Sequence, residues 1–395
     1  MKKILFVHHV SQIGGASYCL LSIIKSLNRN IIKPLVLLKE QGPLTKELKN
    51  LDVEVLYLPK MVATPYNIPI YKFSSIRRYL ALRRALKDFR KLLNARNDID
   101  AVYCNNLMLS DYLRVSKEHG LRTFIHIREH WPLDEHVFQL KHIQKNLKLA
   151  DQVIAINRYS ASIAKNVHSE IVYDWIDLDS RYESVDMNKL FGEDIGSRKV
   201  MLYTGGLNYI KGPLYIAKGF TECLPGDEYR LLMLGDYNLK GINGVKKHIK
   251  YFLTLLGFPS YSNKVISAIR ADYRIKTIPS TYFLKDILQK SYCNLSYFMI
   301  PHANLAQAEC ILAGIPTICA ETDESLEYSL EGKLSYTFKL GNYNNFCHTL
   351  KNFEKDYANK KKLILQKSSE ISKMFNKEAN VGKLNYIIEK VLCDN

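Results

Sequence analysis

The chain has 395 residues, of which 47% are hydrophobic and 24% are charged, so it is long enough for two or three domains. This composition excludes an intrinsically disordered chain, a collagen-like repeat and a small disulfide scaffold. Its 56 lysines and arginines exceed the 39 acidic residues by 17, which favours an anionic partner: nucleotide phosphates, nucleic acid or an anionic membrane surface.

The sequence also indicates a cellular compartment. No apolar run approaches the roughly 18 residues of a membrane-spanning helix, and His8 and His9 end the first apolar run too early for a signal peptide. The eight cysteines are scattered without a Cys-x-x-Cys pair, which is typical of buried thiols in a reducing compartment and argues against a zinc site. We therefore expect a cytoplasmic protein.

The first half of the chain alternates short apolar strands with helices. The first strand leads through Gly14 and Gly15 into an amphipathic helix, which is the opening of a βαβ unit. Continuous apolar runs of this kind are typical of strands buried in a parallel sheet. The predicted strands are residues 3–7, 34–38, 53–57, 101–104, 123–126 and, as the last in this half, 151–156.

Residues 72–93 hold eight basic side chains and one acid, and their apolar residues follow helical spacing. The pattern predicts a basic amphipathic helix, which can either lie on anionic lipid or pack on its domain with a solvated basic face. We weigh the two equally: the apolar stripe would pack inward while Arg77, Arg78, Arg83 and Arg84 meet lipid headgroups.

Between the two halves of the chain, the composition and the apolar periodicity change. Residues 179–198 are polar and rich in turn residues, without an apolar period, which predicts a linker. Two successive alternations predict an α/β protein with two doubly wound, Rossmann-like domains, 1–180 and 195–376, that face each other across a cleft. The predicted strands of the second domain are residues 200–203, 230–235, 275–278, 293–297 and 316–320.

Two Asp-x-Asp sequences could hold a divalent ion through paired carboxylates. Asp98 and Asp100 precede a predicted strand, and Asp177 and Asp179 stand at the start of the linker. These positions favour roles in turns and helix caps, so we expect no metal site.

The most specific segment is residues 297–316. Asn304, Leu305 and Ala306 begin a helix after a strand and a loop, and the N–H groups at such a helix start form a phosphate site. Glu309 follows about one turn later, within reach of the vicinal hydroxyls of a sugar. This arrangement suits a nucleoside diphosphate.

The same segment resembles the retaining GT-B glycosyltransferases of the family 4 type. Their motif is Pro-Ser, two residues, Glu, seven residues, then Glu-Ala-Met-Ala-x-Gly-x-Pro. Glu309 matches the second Glu, and residues 314–316 match its end. Tyr297 and Phe298 replace the Pro-Ser pair, and Pro301 replaces the first Glu. In the family that Glu hydrogen-bonds the transferred sugar, so the identity of the sugar stays open.

A second match lies after the first strand of the second domain. Gly205, Gly206 and Lys211 resemble the family's Gly-Arg-Leu, three residues, Lys-Gly, in which Arg and Lys neutralise the donor diphosphate. Lys211 is present, but Gly206 stands at the position of the Arg. Either Lys211 alone stabilises the charge of the leaving diphosphate, or another cation such as Arg128 substitutes.

Two further matches lie in the first domain. In the family, the loop of Gly14 and Gly15 faces the diphosphate and the acceptor. His126 matches a histidine that touches the transferred sugar near the reacting centre; alternatively it is structural, beside a surface pair of Arg128 and Glu129. Asn105 and Asn106 follow a predicted strand and could contact donor or acceptor.

The resemblance covers most of the chain but not the basic residues 237–270. It implies transfer from a nucleotide sugar to a glycan or polyprenyl-linked acceptor in cell-surface polysaccharide assembly, by a protein peripheral to the inner face of the cell membrane. The transfer would retain anomeric configuration and need no metal or cofactor, with catalytic roles for His126, Lys211 and Glu309. In the resembled fold the last helix, residues 377–395, crosses back to the first domain.

Two other functions stay open. The losses at Gly206 and Pro301 allow a catalytically impaired GT-B protein that binds a nucleotide sugar or glycan. A nucleic-acid-binding protein is supported by the net charge alone, because no recognition motif accompanies it.

Overall fold

The structure of the chain, a computed structural model, describes residues 1–64, 73–131, 137–176, 184–235, 237, 260–279 and 284–393. The chain divides into two units: unit 1 is Met1–Trp175 with Phe375–Asn395, and unit 2 is Ile176–Met374. Each unit contains one parallel sheet, so the predicted α/β class with two doubly wound domains is confirmed. No helix in these residues is long and apolar enough to cross a membrane.

Unit 1 has a seven-stranded sheet in the order β3-β2-β1-β4-β5-β6-β7. The central strand β1 is buried on both faces because helices cover both sides. Its Leu5 and Val7 pack with Phe89 on one face, and its Ile4 and Phe6 pack in a separate core on the other. The strands are β1 (Lys2–Val7), β2 (Ile32–Leu38), β3 (Glu54–Tyr57), β4 (Ala101–Cys104), β5 (Arg122–Ile127), β6 (Gln152–Ala155) and β7 (Ser169–Ile171).

The helices described before residue 176 alternate with these strands along the chain. They are α1 (Gly15–Ser26), α2 (Pro43–Lys49), α3 (Phe73–Ala95), α4 (Asp111–Glu118), α5 (Val137–Leu147) and α6 (Arg158–Ser162), with a 3₁₀ turn at Leu107–Leu109.

Unit 2 has a six-stranded parallel sheet in the order β10-β9-β8-β11-β12-β13. Its strands are β8 (Lys199–Tyr203), β9 (Tyr229–Leu234), β10 (Ile275–Ile278), β11 (Cys293–Ser296), β12 (Thr317–Glu321) and β13 (Ser335–Lys339). Its described helices are α7 (Met187–Phe191), α8 (Pro213–Cys223), α9 (Tyr261–Arg270), α10 (Leu284–Gln289), α11 (Leu305–Leu312), α12 (Asp323–Glu327), α13 (Tyr343–Asn352) and α14 (Tyr357–Met374), with 3₁₀ turns at Tyr209–Lys211 and Phe353–Asp356.

Three elements differ from the sequence prediction. Strand β7 follows the strand that was expected to be the last of the first half, and β13 extends the second sheet. Both are edge strands with mixed polarity, so neither shows the continuous apolar run that marks a central strand. Helix α7 forms inside the predicted linker, because Asp186 caps its first turn and Met187 and Phe191 are buried. Residues 177–183 of that linker lie outside the described residues.

The last helix, α15 (Lys377–Cys393), belongs to unit 1 although it follows unit 2 in sequence. Its Leu384, Ile387 and Ile388 enter the core that also holds Ile24 of α1. Asn385 donates a hydrogen bond of 3.0 Å to the carbonyl of Ser26. The chain therefore passes from one unit to the other twice.

Candidate functional site

Polar side chains meet at the carboxyl ends of three central strands in unit 1. Val7 of β1 pairs with Cys104 of β4, and Cys104 pairs with Ile125 of β5. Because the strands are parallel and in this register, the residues that follow these three positions lie side by side. They are His8, Asn105 and His126.

These residues form one buried hydrogen-bonded group with Arg128. The Nδ2 atom of Asn105 lies 3.2 Å from Nδ1 of His8, and Nε of Arg128 donates to Oδ1 of Asn105 over 3.3 Å. Nη2 of Arg128 lies 3.2 Å from Nδ1 of His126, and the hydroxyl of Tyr103 lies 2.8 Å from that same atom. The structure therefore brings together His126, Arg128 and Asn105, which the sequence analysis proposed separately.

Arg128 is held by a partner that the sequence did not indicate. Its Nη1 lies 2.6 Å from both carboxylate oxygens of Asp174, and the residue is only 8% exposed. Although burial opposes it, the charge of Asp174 raises the pKa of Arg128 above its ordinary value. Asp174 follows β7, whose three residues carry no apolar run. Residues 173–177 resemble the Asn-Gly-Ile-Asp of the GT-B family, but that resemblance did not indicate a pair with Arg128.

Arg128 and Glu129 do not form the surface pair that was considered as the structural alternative. The Glu129 carboxylate accepts hydrogen bonds from the backbone N–H groups of Leu107, over 2.8 Å, and Arg128, over 3.1 Å. Burial raises the pKa of Glu129 to about 7.

The histidines at this edge are neutral at physiological pH. Burial, followed by the charges of neighbouring groups, lowers the pKa of His8 to about 3 and that of His9 to about 4. Burial and the charge of Arg128 lower the pKa of His126 well below its ordinary value. Asn106, the second predicted asparagine, approaches His9 rather than this group, with its Nδ2 at 2.7 Å from Nδ1 of His9.

Gly14 and Gly15 lie at the start of α1, where Gly14 is the N-cap in an extended conformation. A Cβ atom at either position would meet no heavy atom within 4 Å. Packing within the protein therefore does not require glycine at these two positions, and the backbone of the first turn is open to a ligand.

In unit 2, hydrogen bonds from Tyr203 hold the loop between β8 and α8. The buried Tyr203 hydroxyl donates to the carbonyls of Gly206, over 3.2 Å, and Lys211, over 3.1 Å. A Cβ atom at Gly205 would come within 2.1 Å of that hydroxyl, so packing requires glycine there. Gly206 has a φ of 62°, a left-handed conformation that would strain the arginine found here in the resembled family.

Lys211 ends the 3₁₀ turn of this loop and is half-buried. Burial lowers the pKa of Lys211 from its ordinary value. Among the described residues, no carboxylate contributes to this shift of the Lys211 pKa. Lys211 is thus a partly desolvated cation without a described counterion.

The loop after β11 lies against the Lys211 loop. The N–H of Met299 donates to the carbonyl of Ile210 over 2.7 Å and so joins the two loops. Tyr297 and Phe298, which stand where the resembled family has Pro-Ser, are buried in the core of unit 2. Pro301 is half-buried in the same loop.

Helix α11 begins at the end of this loop, with Asn304 as its N-cap. The Asn304 side chain accepts a hydrogen bond from the N–H of Gln307 and donates one of 2.9 Å to the hydroxyl of Ser296. Leu305 and Ala306 occupy the first helical positions, whose N–H groups have no acceptor within the helix.

Glu309 stands one turn inside α11 and is half-buried. Burial raises the pKa of its carboxyl to about 7, and no basic group contributes to that shift. Glu309 and Lys211 are therefore an acidic and a basic group, both partly desolvated, on adjoining segments of unit 2.

The predicted basic helix exists as α3, but its apolar stripe is only partly packed. Phe89 and Leu93 are buried, whereas Ile76, Tyr79 and Leu80 are 59%, 60% and 47% exposed. The prediction that the stripe packs inward thus holds only for the C-terminal half of the helix. Of the predicted lipid-facing residues, Arg77, Arg83 and Arg84 are exposed and Arg78 is half-exposed; Lys72 lies outside the described residues.

Asp98 and Asp100, the acidic pair within the described residues, show no grouping suited to a metal. Asp98 pairs with Arg96 and Lys3, and Asp100 pairs with Lys2, while Asp177 and Asp179 lie outside the described residues. Across the described ranges, no three His, Cys, Asp or Glu side chains are grouped as metal ligands. In the basic stretch 237–270, Lys264 lies on α9, and the lysines at 240, 246, 247 and 250 are outside the description.

No protein-family model matches the sequence, and no curated protein matches it significantly. Solved structures, in contrast, match almost the whole chain. HepE from Anabaena in complex with UDP-glucose has a TM-score of 0.73 at 17% identity, covering 99% of this chain and 100% of that one. Sucrose-phosphate synthase from Thermosynechococcus elongatus has a TM-score of 0.70 at 12% identity, covering 99% of each chain.

A third similar structure is the apo form of the lipopolysaccharide outer core galactosyltransferase WaaB. Its TM-score is 0.56 at 15% identity, and the match covers 96% of this chain and 99% of that one. Identities this low carry information about the fold alone. They show that the chain has the GT-B fold.

Proposed function

We propose that this chain is a glycosyltransferase that moves a sugar from a nucleotide-sugar donor to a glycan or lipid-linked acceptor. Unit 2 would bind the donor and unit 1 the acceptor. The observation that carries the proposal is the presence of Lys211 and Glu309, both partly desolvated and without a described ionic partner, on adjoining segments of unit 2.

Such groups are unfavourable in a protein that only needs to fold, because a desolvated charge without a partner destabilises it. A nucleoside diphosphate would supply both missing partners. Its phosphates would pair with Lys211 and with the N–H groups of Leu305 and Ala306. Its ribose hydroxyls would donate to the Glu309 carboxylate, one turn further along the helix. The complexes of the similar HepE with UDP and UDP-glucose support a donor of this class.

In the proposed reaction, the bond between the anomeric carbon and the diphosphate oxygen breaks, and a bond to the acceptor oxygen forms on the same face. The acceptor proton passes to the leaving diphosphate oxygen, so the reaction needs no protein base and no metal. His126 is neutral and would contact the transferred sugar by donating a hydrogen bond. Lys211 would stabilise the charge that develops on the diphosphate.

The test of this function is incubation of the full chain with a panel of nucleotide sugars, with and without glycan and polyprenyl-linked acceptors. Release of the nucleoside diphosphate that depends on the acceptor, with an extended product of retained configuration, is the expected result. Binding without turnover would favour the catalytically impaired protein. A rearranged donor sugar without transfer, or binding to DNA or RNA alone at physiological salt, would contradict the proposal.

Lys211→Ala is expected to weaken nucleoside diphosphate binding. A charge-assisted contact of this kind contributes about 1.5–3 kcal/mol, which corresponds to roughly 10- to 100-fold in affinity. The matched control is Lys218→Ala, which removes an exposed lysine from the neighbouring helix α8. Calorimetric titration of both variants measures the difference, and an unchanged affinity of Lys211→Ala would contradict this assignment.

We further propose that the acceptor belongs to cell-surface polysaccharide assembly and that the protein acts in the cytoplasm, on the inner face of the cell membrane. Helix α3 supports membrane contact, because exposed Ile76, Tyr79 and Leu80 accompany exposed arginines in its N-terminal half. Apolar and aromatic side chains beside basic ones are typical of helices that lie in the membrane interface.

Replacement of Arg77, Arg78, Arg83 and Arg84 by Gln is expected to reduce co-sedimentation with anionic vesicles. Each basic residue near such a surface contributes about 1 kcal/mol, and the contributions act together. A double variant at Lys361 and Lys362, which are exposed on α14 of unit 2, serves as the charge control and should sediment as wild type does. If the wild-type protein fails to sediment at low salt, the helix is not a membrane contact.

A further inference from the structure

The hydrogen bonds around Arg128 have only one possible direction. A guanidinium group donates and never accepts, so each atom that Arg128 approaches must be an acceptor. Its Nη2 lies 3.2 Å from Nδ1 of His126, which therefore carries no hydrogen. In a neutral imidazole the hydrogen is then on Nε2. The hydroxyl of Tyr103, 2.8 Å from the same Nδ1, donates as well.

The hydrogen bonds continue from Arg128 toward the loop that precedes Gly14. Since Oδ1 of Asn105 accepts from Arg128, the amide Nδ2 must face His8, and it donates to Nδ1 of His8 over 3.2 Å. The hydrogen of His8 is then also on Nε2, which lies 3.1 Å from Oγ of Ser17. The Ser17 hydroxyl in turn donates to the carbonyl of Gln12 over 2.7 Å.

The chain of bonds thus starts at a group that can only donate and ends at a carbonyl that can only accept. Every member between them is buried, and Asp174 holds the guanidinium in place through two contacts of 2.6 Å. We propose that Arg128 and Asp174 are positioning residues that fix His126 and His8 as tautomers with the hydrogen on Nε2. Arg128 acts through these side chains, and they also tether the loop that precedes Gly14.

The tautomer determines what His126 can do. Its Nε2 atom is buried and has no hydrogen-bond partner among the described residues. A buried donor left unpaired destabilises a protein, so its presence indicates that a ligand supplies the acceptor. His126 is therefore a hydrogen-bond donor rather than a base, and it suits an uncharged oxygen such as a sugar hydroxyl. The identity of this ligand rests on the proposed function; the tautomers do not.

The experiment is long-range ¹H–¹⁵N correlation of the full chain labelled at histidine, without ligand, with His8→Gln and His126→Gln for assignment. Both rings are expected to show a protonated Nε2 and a bare Nδ1. A protonated Nδ1 on either ring would overturn the inference. Because the wild-type protein is observed without substrate, this result does not depend on whether the chain transfers sugars.

Asp174→Asn then tests the positioning role. Without the negative charge, the one remaining oxygen at position 174 holds Arg128 less firmly, and the Tyr103 hydroxyl can accept from His126 as well as donate to it. A second set of His126 signals with the hydrogen on Nδ1 is expected, with turnover lowered about tenfold or more and nucleotide affinity unchanged. Glu170→Gln, which removes a half-buried carboxylate of β7 that pairs with Lys383, is the matched control. Wild-type His126 signals in Asp174→Asn would contradict the role of Asp174.

Discussion

Deletion of residues 377–395 is expected to destabilise unit 1 and abolish activity, although every candidate site residue remains. Helix α15 places Leu384, Ile387 and Ile388 in a core shared with α1, where they are 2%, 5% and 0% exposed. Burial of one such side chain contributes about 1.5–3 kcal/mol. The loss of all three is comparable with the roughly 5–15 kcal/mol that stabilises a whole domain.

Two point variants test whether the buried side chains of α15 stabilise unit 1. Ile388→Ala leaves a cavity in the core and should lower the free energy of unfolding by about 2–5 kcal/mol. Tyr386→Ala changes a large side chain of the same helix that is 65% exposed, so it should have little effect. Denaturant unfolding measures both. A truncated chain that stays soluble, monomeric and fully active would show that the helix is dispensable.

Glu309→Gln should lower sugar transfer by roughly 10- to 100-fold while the protein stays folded. A carboxylate can accept hydrogen bonds from both ribose hydroxyls, whereas an amide has one acceptor oxygen and loses the charge. Hydrogen bonds to charged groups contribute about 1.5–3 kcal/mol. Initial rates and nucleotide affinity measure the effect. Glu370→Gln, an exposed carboxylate of α14 paired with Lys367, should leave both unchanged.

Glu309→Gln should increase the stability of the protein although it lowers sugar transfer. Burial raises the pKa of Glu309 from 4.5 to about 7, so the folded state binds this proton more tightly than the unfolded state does. The Glu309 carboxyl therefore destabilises the empty protein progressively as the pH rises from about 4.5 to 7. The neutral Gln removes this penalty, and Glu309→Gln should melt at a higher temperature than wild type at pH 8 but not at pH 4. Unchanged melting and unchanged transfer would contradict both the burial and the role.

Much of the fold was predictable because it is encoded locally. The strands β1, β4, β8 and β9 have continuous apolar runs, and the turns after β1 and β8 contain glycine pairs. Such runs bury themselves in a parallel sheet whichever strand lies next to them. The edge strands β7 and β13 and the short helix α7 escaped prediction, since they have little apolar sequence of their own.

The candidate site was predictable only in part. The positions of Lys211, Glu309 and His126 follow from the ends of predicted strands and helices. Their electrostatic state does not, because a pKa depends on how deeply the group is buried and on which charges approach it. The sequence offered Arg128 as a free cation for the diphosphate, whereas the structure places it in a buried pair with Asp174.

The sequence by itself determined the class of the protein: two α/β units with glycine turns after the first strand of each sheet. It also determined the start of α11 and the position of Glu309 one turn later. These features involve residues within about one turn or one strand of each other. Only the tertiary structure decided which groups pair. Asp174 is 46 positions from Arg128, and Asn105 is 97 from His8. Asn105 meets His8 because β4 is the neighbour of β1 in the sheet, and Asp174 meets Arg128 because only β6 separates β5 from β7. This strand order is set by the packing of the whole unit rather than by any local pattern.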